Sequence, residues 1–111
     1  MAVGLEAATG LKPVKGVRLG TAAAGVRYAD RTDLALVELA DGSTCAATFT
    51  RNAFMAAPVV VAKAHLGAYP SRYWLINSGN ANAATGEPGL HDARATCAMV
   101  AEHCGVEAGS V

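Results

Sequence analysis

The sequence has no excess charge and few aromatic residues, and both shortages narrow the classes of protein that it encodes. Nine basic residues are balanced by nine acidic ones among 111 residues. This balance gives no support to binding of nucleic acid or of a membrane surface, which a basic excess would favour. Aromatic residues make up only 5% of the chain, so Ala, Val and Gly must build most of the core, as where helices lie close against a sheet.

Export signals, membrane spans and metal-binding patterns are also missing from the sequence. No apolar run reaches the ~18 residues that a membrane span needs, and the N-terminus lacks the basic and apolar segments of a secretory signal. The odd set Cys45, Cys97 and Cys104 therefore predicts free thiols in a reducing cytoplasm. Cys97 and Cys104 share a helix face, but two ligands do not make a metal site. We predict no metal and no cofactor.

The most distinctive stretch follows the apolar run Trp74–Ile76. Residues 77–86 contain three Asn, two Gly, one Ser and one Thr, and no charged residue. Gly permits positive φ and Asn bonds to nearby backbone, so a strand is predicted to lead into a rigid, amide-rich loop. Its candidate substrate-binding residues are Asn77, Gly79, Asn80 and Asn82. Neutral amides suit orienting a substrate better than proton transfer, although the same composition also forms ordinary strand-to-helix connections.

The remaining pattern predicts an α/β fold, with a mixed sheet that contains a hairpin and with helices packed on it. Strands are predicted at residues 14–19, 26–28 and 34–39. The pair Asp41-Gly42 favours a tight turn into a further strand at 43–49, on which Cys45 would be a small buried residue.

Two helices are predicted in the second half of the chain. Pro58 opens the first, which runs to Leu66 and ends at Gly67. The β-branched run Val59–Val61 would also suit a strand, but the nearby alanines and Gly67 favour the helix. The second runs from Gly89 to Cys104, where apolar residues recur at steps of three and four, and Gly105 ends it.

No residue of this chain is predicted to be catalytic. His65 and His91 fall near the ends of the predicted helices, where a histidine is more often a surface residue than a general base. Ser78 lacks the glycine two positions earlier that a nucleophile elbow requires. Residues 20–25 lack the lysine and hydroxyl of a phosphate-binding loop.

Two segments resemble a known family. They are residues 76–94, which contain the Asn-rich run, and residues 49–59, which begin Phe-Thr-Arg-Asn-Ala-Phe. Together with Val17–Gly20 and the small residues that follow, they resemble the ornithine acetyltransferase (glutamate N-acetyltransferase) family of arginine biosynthesis. The resemblance extends over about residues 13–104, which is nearly the whole chain.

The resemblance implies a reaction and a way of making the enzyme. Members move an acetyl group from N-acetylornithine to glutamate, and some also use acetyl-CoA as the donor. The precursor cuts itself before a threonine, which becomes the nucleophile at the start of a second chain, and the assembly implied is an α2β2 heterotetramer. A Thr-Gly pair forms the oxyanion hole. The family places both features beyond residue 111, and Thr85-Gly86 belongs to the Asn-rich motif instead.

We therefore expect a single partial domain over residues 1–111, the N-terminal part of a longer, cytoplasmic, self-processing and multifunctional enzyme. Alone it is expected to be inactive and to self-associate through an exposed sheet edge and an apolar helix face. The alternative is a free-standing, non-catalytic α/β module that binds a small molecule or a partner through the Asn-rich loop.

Overall fold

The computed structural model describes residues 6–111, which form a three-stranded sheet beside two helices. The strands are β1 (Val17–Ala22), β2 (Leu34–Leu39) and β3 (Tyr73–Asn77), and the helices are α1 (Ala57–Ala68) and α2 (Gly86–Cys104). A short 3₁₀ turn follows at Ala108–Ser110. The α/β class predicted from the sequence is confirmed.

The sheet has the order β1-β2-β3, and each described pairing is antiparallel. Within residues 6–111 the sheet is therefore antiparallel rather than mixed as predicted. Leu36 lies between Gly20 and Leu75 in one row across the sheet. The strand predicted before the Asn-rich loop is β3, which is an edge strand here, and Trp74 on it is 46% exposed.

The predicted hairpin at Asp41-Gly42 is wrong in its second strand. The turn itself forms, because Gly42 has φ 80° and the Ser43 N–H donates to Ala40 O at 3.2 Å. Residues 43–50 make no strand, since β1 and β3 already occupy both edges of β2. Cys45 is half-buried in this irregular segment and not on a strand. The predicted strand at residues 26–28 is a bend.

Both helices are confirmed, with shifted ends. Pro58 stands in the first turn of α1, which runs past Gly67 and ends at Ala68, shortly before Pro70. Helix α2 begins three residues earlier than predicted and ends at Cys104 as predicted. Gly105 follows it, and its φ of 67° and N–H donation to Ala101 O close the last turn.

The core is small and lies mainly between the two helices. Ala57 and Val61 of α1 pack against Ala93 of α2, with Leu90 and Cys97 partly buried beside them. Four of these five positions are Ala, Val or Leu, so the expectation of a core built from small aliphatic residues is met. The predicted apolar face of α2 is the face that meets α1.

The chain exposes more surface than a complete domain of its size. Its solvent-accessible surface is 8479 Å², whereas a folded monomer of 11.2 kDa exposes about 5,700 Å². Its radius of gyration is 14.9 Å, against about 13 Å for a compact domain of this length. Phe54 is 92% exposed and Leu19 76% exposed. Large apolar side chains are thus left uncovered by the described part of the chain.

Candidate functional site

The Asn-rich loop, residues 77–86, leaves the edge of the sheet and crosses to the start of α2. It is anchored at once, because the Ser78 N–H donates to Asp33 O at 2.7 Å. Gly79 has φ 140°, and a Cβ there would stand 3.1 Å from Arg27 Cβ. The position therefore requires glycine for its backbone conformation and for its close approach to the β1–β2 loop, residues 23–33.

Asparagine side chains fold the loop locally, as the sequence predicts. Asn77 Oδ1 accepts from the Asn80 N–H at 3.3 Å, and Asn80 Oδ1 accepts from the Asn82 N–H at 3.1 Å. Each bond joins a side chain to backbone two or three residues ahead, which is the local pattern that favours Asn in tight loops.

Asn82 connects the loop to both helices. Its Nδ2 donates to Gly89 O at 2.8 Å, and its Oδ1 accepts from the Thr85 hydroxyl at 2.6 Å. Its carbonyl oxygen accepts from the Ala57 N–H, the first residue of α1, at 3.2 Å. The positive φ of 47° is one that Asn tolerates. Both polar atoms of the Asn82 amide therefore form hydrogen bonds within the chain.

Gly89 completes this connection, and sequence reasoning missed it. A Cβ at this position would overlap the Thr85 hydroxyl and stand 2.5 Å from Asn82 Oδ1. Gly89 is buried although it lies in the first turns of α2. A glycine after proline near a helix start carries no signal that distinguishes it from an ordinary helix residue.

A cavity of about 460 Å³ separates the sheet from the helices. Most of its lining is apolar and comes from β3, α1 and α2, with Leu75, Val61 and Ala93 as examples. The Asn-rich loop contributes Asn77, Asn80 and Asn82 to the lining.

The side-chain nitrogens (Nδ2) of Asn77 and Asn80 donate to no acceptor within residues 6–111. An apolar cleft with a few fixed polar groups is the usual form of a small-molecule site.

Two titratable groups that line the cavity, Cys97 and Tyr73, have raised pKa values. Burial raises the pKa of the Cys97 thiol, which makes it a poor nucleophile. Burial also raises the pKa of Tyr73, and hydrogen bonding with Cys104 acts in the same direction. In the described part of the chain, no three metal-ligating side chains lie together. The arrangement offers apolar contact, neutral hydrogen bonding and one carboxylate, that of Asp92.

Asp33 fixes the neighbouring β1–β2 loop, although no sequence motif distinguishes this residue. Its side chain accepts from the Ala24 N–H at 2.7 Å and the Val26 N–H at 2.6 Å, and the residue is only 3% exposed. The Ala24 N–H lowers the pKa of this carboxyl, with Val26 adding to the effect while burial opposes it. Since the Asp33 carbonyl also holds Ser78, this residue ties the two loops together.

Neither His65 nor His91, the two histidines considered as general bases, lies on the Asn-rich loop. His65 Nδ1 is 2.8 Å from Val111 O, and exposed His91 is 3.5 Å from the carboxylate of Asp92.

Within residues 6–111, neither α1 nor α2 has the length and hydropathy needed to cross a bilayer.

Known protein sequences match this chain over almost its whole length. The model of the ArgJ family matches residues 18–111. The arginine biosynthesis bifunctional protein ArgJ of Methylococcus capsulatus is 56% identical over 101 residues, which cover 91% of this chain and 24% of that protein. The protein of the same name from Pseudomonas syringae pv. tomato is 49% identical over all 111 residues, which cover 27% of its length. The chain therefore spans about a quarter of the length of these curated relatives.

Solved structures are similar in fold as well as in sequence. The arginine biosynthesis bifunctional protein ArgJ from Bacillus halodurans superimposes with a TM-score of 0.81 at 32% identity, covering 87% of this chain and 51% of that one. The ornithine acetyltransferase of Mycobacterium tuberculosis, solved in complex with ornithine, gives a TM-score of 0.77 at 37% identity, covering 87% and 53%.

Proposed function

The chain belongs to the ArgJ family, and from that premise we propose that it is the N-terminal part of a longer acetyltransferase of arginine biosynthesis. The reaction proposed is transfer of the acetyl group from N-acetylornithine to glutamate, with acetyl-CoA as a second donor. The name "bifunctional" that the curated relatives carry supports this pair of donors. The free thiols of the three cysteines suit a cytoplasmic location.

The observation that carries the proposal is the family match from residue 18 to residue 111, which includes the Asn-rich loop. The curated relatives are much longer than this chain. Since 101 matched residues are 24% of the Methylococcus protein, that protein has about 420 residues.

The solved chains are shorter than the curated proteins. Since 87% of 111 residues, about 97, match 51% of the Bacillus chain, that chain has about 190 residues. A precursor that cuts itself into two chains of similar length would account for this difference. We therefore propose self-processing for the longer protein, with two copies of each chain in the assembly.

The nucleophile in this proposal is a threonine that becomes the first residue of the second chain. Its hydroxyl attacks the acetyl carbonyl of N-acetylornithine, and its own amine takes the hydroxyl proton. The C–N bond breaks, ornithine leaves with a proton on its amine, and an acetyl ester remains on the threonine. The amine of glutamate then attacks the ester, which yields N-acetylglutamate and restores the hydroxyl.

This chain would supply the scaffold and part of the substrate-facing surface. Asn77 and Asn80 line the cavity and have amide N–H groups free to donate, so we assign them substrate contact. Gly79 and Asn82 act through the shape of the loop. The exposed surface of 8479 Å², larger than that of a folded monomer of this mass, supports the view that further chain packs on this scaffold.

The test is an acetyl-transfer assay on the full-length gene product beside the isolated chain. The full-length product is expected to release ornithine from N-acetylornithine when glutamate is present, and to appear as two chains on a denaturing gel. Residues 1–111 alone are expected to give no turnover above background. Robust transfer by the isolated chain, or an uncut full-length product without activity, would overturn the proposal. A stop codon directly after codon 111 would instead favour the non-catalytic module.

A further inference from the structure

Two arginines of the β1–β2 loop are held on one aromatic ring beside the Asn-rich loop. The Cζ atoms of Arg27 and Arg31 lie 5.5 Å and 4.6 Å from the centre of the Tyr28 ring. Both distances fall in the range of cation–π attraction, which favours one placement of each guanidinium. We call Arg27, Tyr28 and Arg31 the arginine cluster.

The backbone under the arginine cluster is fixed from two sides. The buried Asp33 side chain accepts from the backbone N–H groups of Ala24 and Val26, which brackets the approach to Arg27. On the other side, Gly79 packs so closely that its missing Cβ would meet Arg27 Cβ at 3.1 Å. The cluster is thus carried on a defined loop rather than on a free one.

The cluster forms no direct ion pair within the described residues, although the buried Asp33 carboxylate attracts Arg31 at longer range. Arg18 pairs with Glu38, and Arg72 pairs with Asp41, whereas no carboxylate in residues 6–111 forms an ion pair with Arg27 or Arg31. Two guanidinium groups that share one ring repel each other, and an anion between them would relieve that repulsion.

The cluster also adjoins the polar end of the cavity. Val26, the residue before Arg27, lines the cavity together with Asn77 and Asn80. Gly79, between those two asparagines in sequence, packs close to this segment, since a Cβ on it would lie 3.6 Å from Val26 Cγ1 and 3.1 Å from Arg27 Cβ. The backbone of the arginine cluster therefore lies next to the amide-lined end of the cavity.

We propose that the arginine cluster is a binding site for the oxyanion group, carboxylate or phosphate, of a small organic ligand whose body occupies the cavity. Guanidinium groups match both oxyanions in geometry and bind them through paired hydrogen bonds. Two of them at one place favour a group that carries more than one negative charge. The site adjoins the cavity to which we assign substrate contact, so it rests on the proposed function and deepens it, and it is tested by binding rather than by acetyl transfer.

The test measures binding of two probes, inorganic pyrophosphate and glutarate, to the full-length gene product by isothermal titration calorimetry. The double variant Arg27→Gln/Arg31→Gln is expected to lose affinity at least tenfold. The matched control, Arg51→Gln/Arg94→Gln, removes the same charge from two exposed, separate positions and is expected to stay within twofold of wild type. Tyr28→Leu, which keeps both charges but removes the ring, is expected to fall between them.

Each outcome decides the proposal. Binding of pyrophosphate alone identifies a phosphate ligand, and binding of glutarate alone identifies a carboxylate ligand. Wild-type affinity should also weaken as salt is raised, because exposed charges are screened. Absence of saturable binding of both probes to wild type, or equal losses in the two double variants, would overturn the site. Circular dichroism of every variant separates lost binding from lost folding.

Discussion

The Asn-rich loop and the segment at residues 43–56 are both irregular, yet their hydrogen bonding differs completely. The loop joins Asp33, the start of α1 and the first turns of α2 through the bonds of Ser78 and Asn82. From residue 44 to residue 55 the described structure contains only local bonds, from Asn52 N–H to Thr50 and from Phe54 N–H to Asn52. One segment is fixed by this chain, and the other is not.

The difference shows which kinds of local sequence determine structure on their own. Asn and Gly act within a few residues, so a loop rich in both is defined wherever its two ends are held. A run such as residues 43–49 favours extended dihedral angles, but a strand needs a neighbour to accept its backbone hydrogen bonds. Both edges of β2, the strand with which the Asp41-Gly42 turn would pair the run, are occupied.

The largest effect that tests this comparison is expected from Gly89→Ala. The new Cβ would overlap the Thr85 hydroxyl and approach Asn82 Oδ1, so Thr85, Asn82 or the helix start must move. We expect a loss of about 3 kcal/mol in the free energy of unfolding of the full-length protein, the upper range for overpacking. Urea denaturation followed by circular dichroism measures it.

Gly67→Ala is the matched control for that substitution. Gly67 is also helical, in α1, but a Cβ there meets nothing within 4 Å. Replacing glycine by alanine in an open helix position is expected to stabilise by about 1 kcal/mol. If both substitutions stabilised the protein, the tight packing of Asn82, Thr85 and Gly89 would not exist in solution.

A smaller loss, about 2 kcal/mol, is expected from Asn82→Ala. The substitution removes the bonds to Gly89 O and from the Thr85 hydroxyl, each worth roughly 1 kcal/mol. Asn80→Ala removes only one exposed bond, to the Asn82 N–H, and should cost about 0.5 kcal/mol. Thermal unfolding of the two variants ranks them, and equal losses would show that Asn82 does not hold the two helices.

The sequence predicted what depends on local chemistry and periodicity. The apolar residues of α2 recur at helical steps and Gly105 supplies the left-handed end, so that helix was predicted to within three residues. Pro58 likewise indicated the start of α1, although the β-branched run that follows it favours a strand. The strand before the Asn-rich loop and the loop itself follow from composition in the same way.

The sequence could not predict what depends on residues brought together by folding. Asp33 is an ordinary acidic residue until the chain places the N–H groups of Ala24 and Val26 against it. Gly89 matters because Thr85 and Asn82 meet there, and this contact requires the finished loop. The edge position of β3 depends on whether another strand pairs with its outer side. The local sequence Trp74–Ile76 does not determine this.

The smallest and most local effect is expected from a change in pH. It should alter the β1–β2 loop, which is held by the ionised Asp33 side chain, and leave the uncharged Asn-rich loop unaltered. The pKa of Asp33 lies below its usual value of 3.8, first because the Ala24 N–H donates to the carboxylate. The stabilisation is therefore complete above the unfolded pKa and is lost as pH falls through the lower folded pKa. NMR should show the Ala24 and Val26 amide protons moving upfield together below pH 3.8, while those of Ala57 and Asn82, bonded to neutral oxygens, stay in place.

Asp33→Asn provides the control for this titration, because its side chain stays neutral at every pH. The Ala24 and Val26 signals of the variant should already lie upfield at neutral pH and should not titrate. Ser78, whose N–H donates to the Asp33 carbonyl, should keep its amide shift in the variant as long as β2 stays paired. Flat Ala24 and Val26 signals in the wild-type protein, down to its acid unfolding, would mean that the β1–β2 loop is not held by a charge. Its rigidity would then rest on the same neutral bonding as the Asn-rich loop.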